Sequence, residues 1–146
     1  MAASADEVAT LRTYLAGDYD EYQRMHGRLD PVAARTGYTA LIAAAFFEAV
    51  DRRFAKPGTT AADIIQYVGD VRARSARIGD ALDPRAAERV VRHALGDGSI
   101  ADLNDETVIG TQIVMLSALI ADEQLDDAGL DAFMAAARKL ADQWTA

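Results

Sequence analysis

The sequence predicts an all-α fold: a single domain, residues 1–146, in which about six or seven helices form a bundle around two uncharged central ones. Three observations carry that prediction. Thr107 to Ala121 contains no charged residue, and its Val108, Ile109, Ile113, Met115, Leu116, Leu119 and Ile120 would stand on nearly every face of a helix, as in a buried one. A second uncharged run, Tyr38 to Phe47, has alanines that permit close helix approach, with Leu41, Ile42, Phe46 and Phe47 for bulk. No segment alternates apolar and polar residues over the length of a strand. Crossing a bilayer takes roughly 20 apolar residues, so the longer run falls short of a membrane span.

Each element has its own start and stop signals. Ser4 and Glu7 have the spacing of a capping box, with Val8, Leu11 and Leu15 following on one face. Gly17-Asp18 breaks the chain before a second helix carrying Tyr19, Tyr22, Met25 and Leu29 inward. One long helix over 5–29 is the alternative, since positions 8 to 29 also fit heptad spacing. Asp30-Pro31 restarts the chain with a cap and an N1 proline, giving a short piece that ends near Gly37. After the uncharged run, Lys56-Pro57-Gly58 is a strong breaker. Thr59 or Thr60 then caps a helix with the stripe Ile64, Ile65, Val68 and Val71, and Gly79 ends that region. Asp83-Pro84 starts a helix with Ala87, Val90, Val91, Ala94 and Leu95 inward, stopped by Gly96-Asp97-Gly98. Asp126 or Asp127 caps a last helix that points Leu130, Phe133, Met134, Ala137, Leu140 and Trp144 inward. Each uncharged helix (38–50 and 107–121) is followed by a turn and a capped amphipathic helix (60–76 and 127–144). That echo fits either a duplication or two similar helical hairpins.

Composition excludes several classes of function. A chain of 146 residues buries about two-thirds of its unfolded surface and needs no staple. With no cysteine there is no thiolate zinc site and no thiol chemistry. Met1 to Glu7 lacks the basic start and apolar run of a signal peptide, which makes the cytoplasm the expected compartment. Residues 1–96 carry 13 acidic and 13 basic side chains. Residues 97–146 carry 10 acids against Arg138 and Lys139 alone, and this last third holds the whole net charge of −8. Such a balance repels a phosphate backbone, so nucleic acid is not the expected partner.

Few residue constellations suggest chemistry. His26 and His93 are isolated on different helices, and no G-x-S-x-G elbow is present. Gly96-Asp97-Gly98-Ser99 is neither a phosphate-cradling loop nor a dinucleotide fingerprint, so no cofactor is expected. The candidate cation turn is Asp122, Glu123, Asp126, Asp127 and Asp131. As an EF-hand it fails: Gln124 stands at position 3, Asp127 where glycine is required, and Phe133 where the bidentate glutamate belongs. Ala121-Asp122-x-x-Leu125-Asp126-Asp127 resembles the acidic turns of tellurite-resistance-type helical domains, a resemblance that implies carboxylates able to hold a divalent metal. Carboxylates are equally favoured there as helix caps. Leu15-Ala-Gly-Asp-Tyr-Asp-Glu-Tyr22 resembles the turn of a tetratricopeptide repeat over about a dozen residues, with no second copy at the period stacking requires.

Arg72, Arg74, Arg77, Arg85, Arg89 and Arg92 form the basic region, in which a helix-turn-helix would make the chain a DNA-associated regulator. Its connection from Arg77 to Asp83 is long for that motif, and Arg85, Arg89 and Arg92 share the i, i+4, i+7 spacing of one exposed face. Their expected partners are the surplus acids of the last third, within one chain or across a dimer. Tyr14, beside the Leu11–Leu15 stripe, is a further interaction candidate. The leading expectation is a non-catalytic protein-interaction module that forms a homodimer or binds another protein. The alternative is a cation- or small-ligand-binding domain using residues 122–131.

Overall fold

The structure, a computed structural model, describes residues 3–145, with side chains to residue 144. It is all-helical, as the sequence predicts. Helices α1 (Ala5–Leu15), α2 (Tyr19–Arg28), α3 (Pro31–Ala34), α4 (Gly37–Phe54), α5 (Ala61–Arg72), α6 (Ala76–Ala81), α7 (Pro84–Ala94), α8 (Asp105–Glu123) and α9 (Asp127–Thr145) follow in chain order.

Most of the boundaries are set by side-chain caps. Ser4 and Glu7 close a reciprocal capping box on α1, and Thr60 with Asp63 does the same on α5. Asp18, Asp30 and Asp83 accept from the first-turn amides of α2, α3 and α7, the last two ahead of an N1 proline. Asn104 caps α8, and Asp126 accepts from the Gly129 amide at the start of α9. The chain does break after α1, at Gly17 with φ +85°.

The two uncharged helices lie side by side at the centre. α4 packs on α1, α3, α7, α8 and α9, while α8 is flanked by α1, α4 and α7. Leu41, Ala44, Ala45, Phe46 and Val50 of α4 are wholly buried together with Met115 and Leu116 of α8 and Phe133 of α9. Along one side of α8 burial is incomplete: Gly110 and Ala121 are exposed, and Ile113, Val114 and Ser117 are half-buried. The predicted hairpin echo does not form, because α9 packs chiefly on α4 and α5 chiefly on α7.

Other local expectations are corrected. Gly37 is not itself a terminator: α3 ends near it, at Ala34, and Gly37 opens α4, where a Cβ would stand 2.5 Å from Oε1 of the buried Glu7 carboxylate. That oxygen accepts from the Ser4 amide at 2.8 Å, so Glu7 caps its own helix while resting on the first turn of α4. Gly79 does not end the α5 region either. The helix stops at Arg72, Ser75 caps the unpredicted α6, and the Arg72 guanidinium donates to the Gly79 and Leu82 carbonyls at 2.9 and 2.7 Å. Ile65 is 52% exposed because Ile64, Val68 and Val71 share a face with Tyr67, and Ile65 lies one step round the helix. Tyr19 and Trp144, both expected inward, are 54% and 45% exposed, and Trp144 lies edge-on to Phe47 at 5.0 Å.

Phe46→Ala is expected to destabilise the protein by about 3–5 kcal/mol in denaturant titration, since nothing around so enclosed a ring can collapse fully into the void. Gly110→Ala should do the reverse. It adds a Cβ that meets nothing within 4 Å, inside a helix where glycine costs about 0.5–1 kcal/mol, and its midpoint should rise.

Candidate functional site

The acidic turn does not assemble as one site. Asp122 accepts from Arg74 Nη2 and from the Tyr67 hydroxyl, both at 2.8 Å to the same oxygen. Glu123 pairs with Arg52 at 3.2 Å. Arg12 of α1 donates from Nε to Asp131 at 2.6 Å and reaches the Asp127 carboxylate at 3.6 Å. Asp126 is the cap of α9. The carboxylates are thus drawn apart by arginines from three other parts of the chain. Among the described residues no three His, Asp or Glu side chains come together in a way that would hold a metal ion.

Two arginines of α7 are engaged close to home. Arg89 forms a two-nitrogen fork with Asp102 and donates to the Ser99 carbonyl at 2.8 Å. Arg92 donates from two nitrogens to Asp97 at 2.7 and 2.9 Å. Arg85 is exposed. Asp97 and Asp102 belong to the acidic last third, so the expected pairing occurs within one chain, and it ties α7 to the loop that leads into α8.

Two clusters were hidden in the sequence. The first centres on buried Tyr67 of α5, whose hydroxyl meets Asp122 of α8 while the Arg53 guanidinium lies 4.6 Å above its ring and Phe54 meets it edge-on at 5.6 Å. The hydrogen bond from Arg74, reinforced by that from Tyr67, holds the Asp122 carboxyl below the usual carboxylate range against a smaller opposing effect of burial. Burial first, and the neighbouring carboxylate second, push the Tyr67 phenol well up. Both groups move away from neutrality, so neither is poised to exchange a proton near pH 7, as a general acid or base must. Tyr67 and Asp122 are 55 positions apart, and no local pattern announces the pair.

The second cluster runs along α1, α2 and the first turn of α4. Tyr19 meets Tyr14 at 5.7 Å, Tyr14 meets Tyr22 at 4.9 Å, Tyr22 meets His26 at 5.5 Å, and His26 meets Tyr38 at 5.8 Å. The run passes from exposed Tyr19 to buried Tyr38. Tyr14 is half-buried within it, between Tyr19 and Tyr22 of α2. Burial raises the Tyr14 phenol; it raises that of Tyr38 further, with help from nearby Tyr22. His93 lies apart, half-buried 6.2 Å from Phe47, its Nδ1 3.3 Å from the Gly98 carbonyl.

Two open clefts flank the end of α4. One, of about 410 Å³, has Phe54, Ile64 and Leu95 for its floor and Lys56, Arg92 and Asp97 at its rim. The other, of about 370 Å³, lies between Arg53, Asp63, Gln66 and Asp70 and is mostly polar. Neither draws a histidine toward a carboxylate or a nucleophile. No described helix is long and apolar enough to cross a membrane. Compared with known proteins, the chain matches no protein-family model, no curated protein and no solved structure.

These ionisations set the expected pH dependence. Asp122 titrates lower when folded than unfolded, so its stabilising contribution is complete above about pH 4 and is lost as pH falls through the depressed value. Asp122→Asn should lower the melting temperature at neutral pH and flatten the acid limb of the stability profile. Tyr14, Tyr38 and Tyr67 titrate higher when folded, so their contribution is complete below about pH 10 and disappears above it. Alkaline unfolding is expected to coincide with phenolate absorbance, and Tyr67→Phe should reduce that coupling.

Proposed function

We propose that the protein is a non-catalytic helical interaction module that works as a homodimer in the cytoplasm. One observation carries this reading: α2 buries no residue fully, yet it is bracketed by two of the large apolar side chains left most open to water, Tyr19 at 54% and Val32 at 76%. Exposed apolar surface on a small domain marks a place where another surface docks, and tyrosine supplies contact area there at low entropic cost. The ionisable groups support the non-catalytic part. Arg52, Arg74 and Arg92 each pair with a carboxylate of the last third, and the Tyr67–Asp122 pair is shifted away from proton transfer. A chain without cysteine draws nothing from an oxidising compartment, which suits a cytoplasmic site of action.

Size-exclusion chromatography with light scattering tests the proposal. The expected mass is twice the 15.7 kDa of the chain at micromolar concentration, and a strict monomer would remove the homodimer. In the double variant Tyr19→Glu, Val32→Glu the mass should fall to that of one chain. The monomer should keep the circular dichroism of a folded helical chain, because both side chains are more than half exposed.

A further inference from the structure

We infer that the homodimer forms by antiparallel packing of α2 on α2 of a second copy, about a twofold axis near Arg24, with Asp20 of each chain against Arg28 of the other. The inference rests on the homodimer reading above and adds its surface and its geometry. α2 leans chiefly on α1 and turns Tyr22, Met25 and Leu29 inward, all three half-buried. The opposite side presents Asp20, Gln23, Arg24, Gly27 and Arg28 to solvent.

A twofold interface pairs one patch with itself, so residue i meets j and j meets i, and the patch must be complementary to its own rotated image. The outer side of α2 meets that condition in one direction only. Asp18, Asp20 and Glu21 stand at its start, Arg24 and Arg28 toward its end. Antiparallel copies set acid on base at both ends, whereas parallel copies would set acid on acid and base on base. Asp20 and Arg28 are about 12 Å apart along the helix at 1.5 Å per residue, which leaves one charge pair on each side of the axis. Arg24, the residue the axis would turn against itself, is already held by its own Glu21 at 2.6 Å, so the one like-charge contact is neutralised in advance. Gly27 puts no side chain into the face, and a Cβ there would meet nothing within 4 Å. Acids first and bases last also suit the dipole of an isolated helix. The dipole does not call for open space at Gly27 or for exposed apolar groups at both ends, where Tyr19 begins α2 and Val32 follows it.

Charge reversal tests the arrangement. Asp20→Arg alone sets arginine against arginine twice, and Arg28→Asp alone sets aspartate against aspartate twice. Each single variant should weaken self-association about tenfold or more by sedimentation velocity, with the circular dichroism of a folded helical chain retained. An equimolar mixture of the two should recover a dimer of mixed composition, and the double variant Asp20→Arg, Arg28→Asp should recover a homodimer. Because the mixture contains the same impaired chains, misfolding cannot explain its recovery. Single variants that dimerise as tightly as the wild type would overturn the α2 assignment and leave the homodimer standing, with the half-buried α8 stripe around Val114 as its next candidate surface. Impaired single variants whose mixture fails to recover would overturn the antiparallel pairing. A wild-type monomer would remove the homodimer and this inference together.

Discussion

The fold depends on how closely α4 can be approached. Its Ala44, Ala45 and Ala49 place almost nothing between backbones, so α8 and α9 settle against it while Leu41, Phe46 and Val50 fill the spaces between turns. No charge on this stretch of α4 has to be stripped of water before burial, and the same holds for the middle of α8. The charged residues of both helices begin where the neighbours stop. Glu48 and Arg52 of α4 and Glu123 of α8 join at the surface, where Arg52 also covers the edge of the core by lying 5.2 Å over the Phe133 ring.

The uneven charge of the sequence acquires a meaning once the chain is folded. Arg12 with Asp127 and Asp131, Arg52 with Glu123, Arg74 with Asp122, Arg89 with Asp102 and Arg92 with Asp97 all couple a base from residues 1–96 to an acid from residues 97–146. Such pairs at a surface add little stability individually. They do select an arrangement, since sliding α8 or α9 by a turn would pull these partners apart. The surplus acid of the last third is therefore mainly an internal fastening.

Local chemistry was the legible part of this chain. Capping residues, N1 prolines and glycine stops depend on neighbours a few positions away, so Ser4, Asp18, Asp30 and Asp83 could be assigned from spacing alone, and the caps of α5 and α9 narrowed to two adjacent residues each. Long apolar runs could likewise be recognised as core. What could not be read was set by distant partners. Gly37 looks like a terminator until Glu7 is seen resting on it, and Arg72 looks like a surface charge until it is seen gripping the end of α6. Tyr67 and Asp122 carry no local signature of their contact. Ile65 and Trp144 were misplaced for a different reason: periodicity fixes which residues share a side, but not how wide a side the neighbours cover.

The edge-on contact between Trp144 and Phe47 turns the only tryptophan into a built-in optical probe of where the last helix sits on the central one. The tyrosines that gather about Tyr38 give a separate optical signal from the other end of α4. Followed together during denaturation, emission from the indole and near-ultraviolet ellipticity from the phenols watch two corners of one molecule. Superimposable curves would mean that the bundle melts as one cooperative unit, and divergent ones that the α1–α2 corner loosens before the remainder.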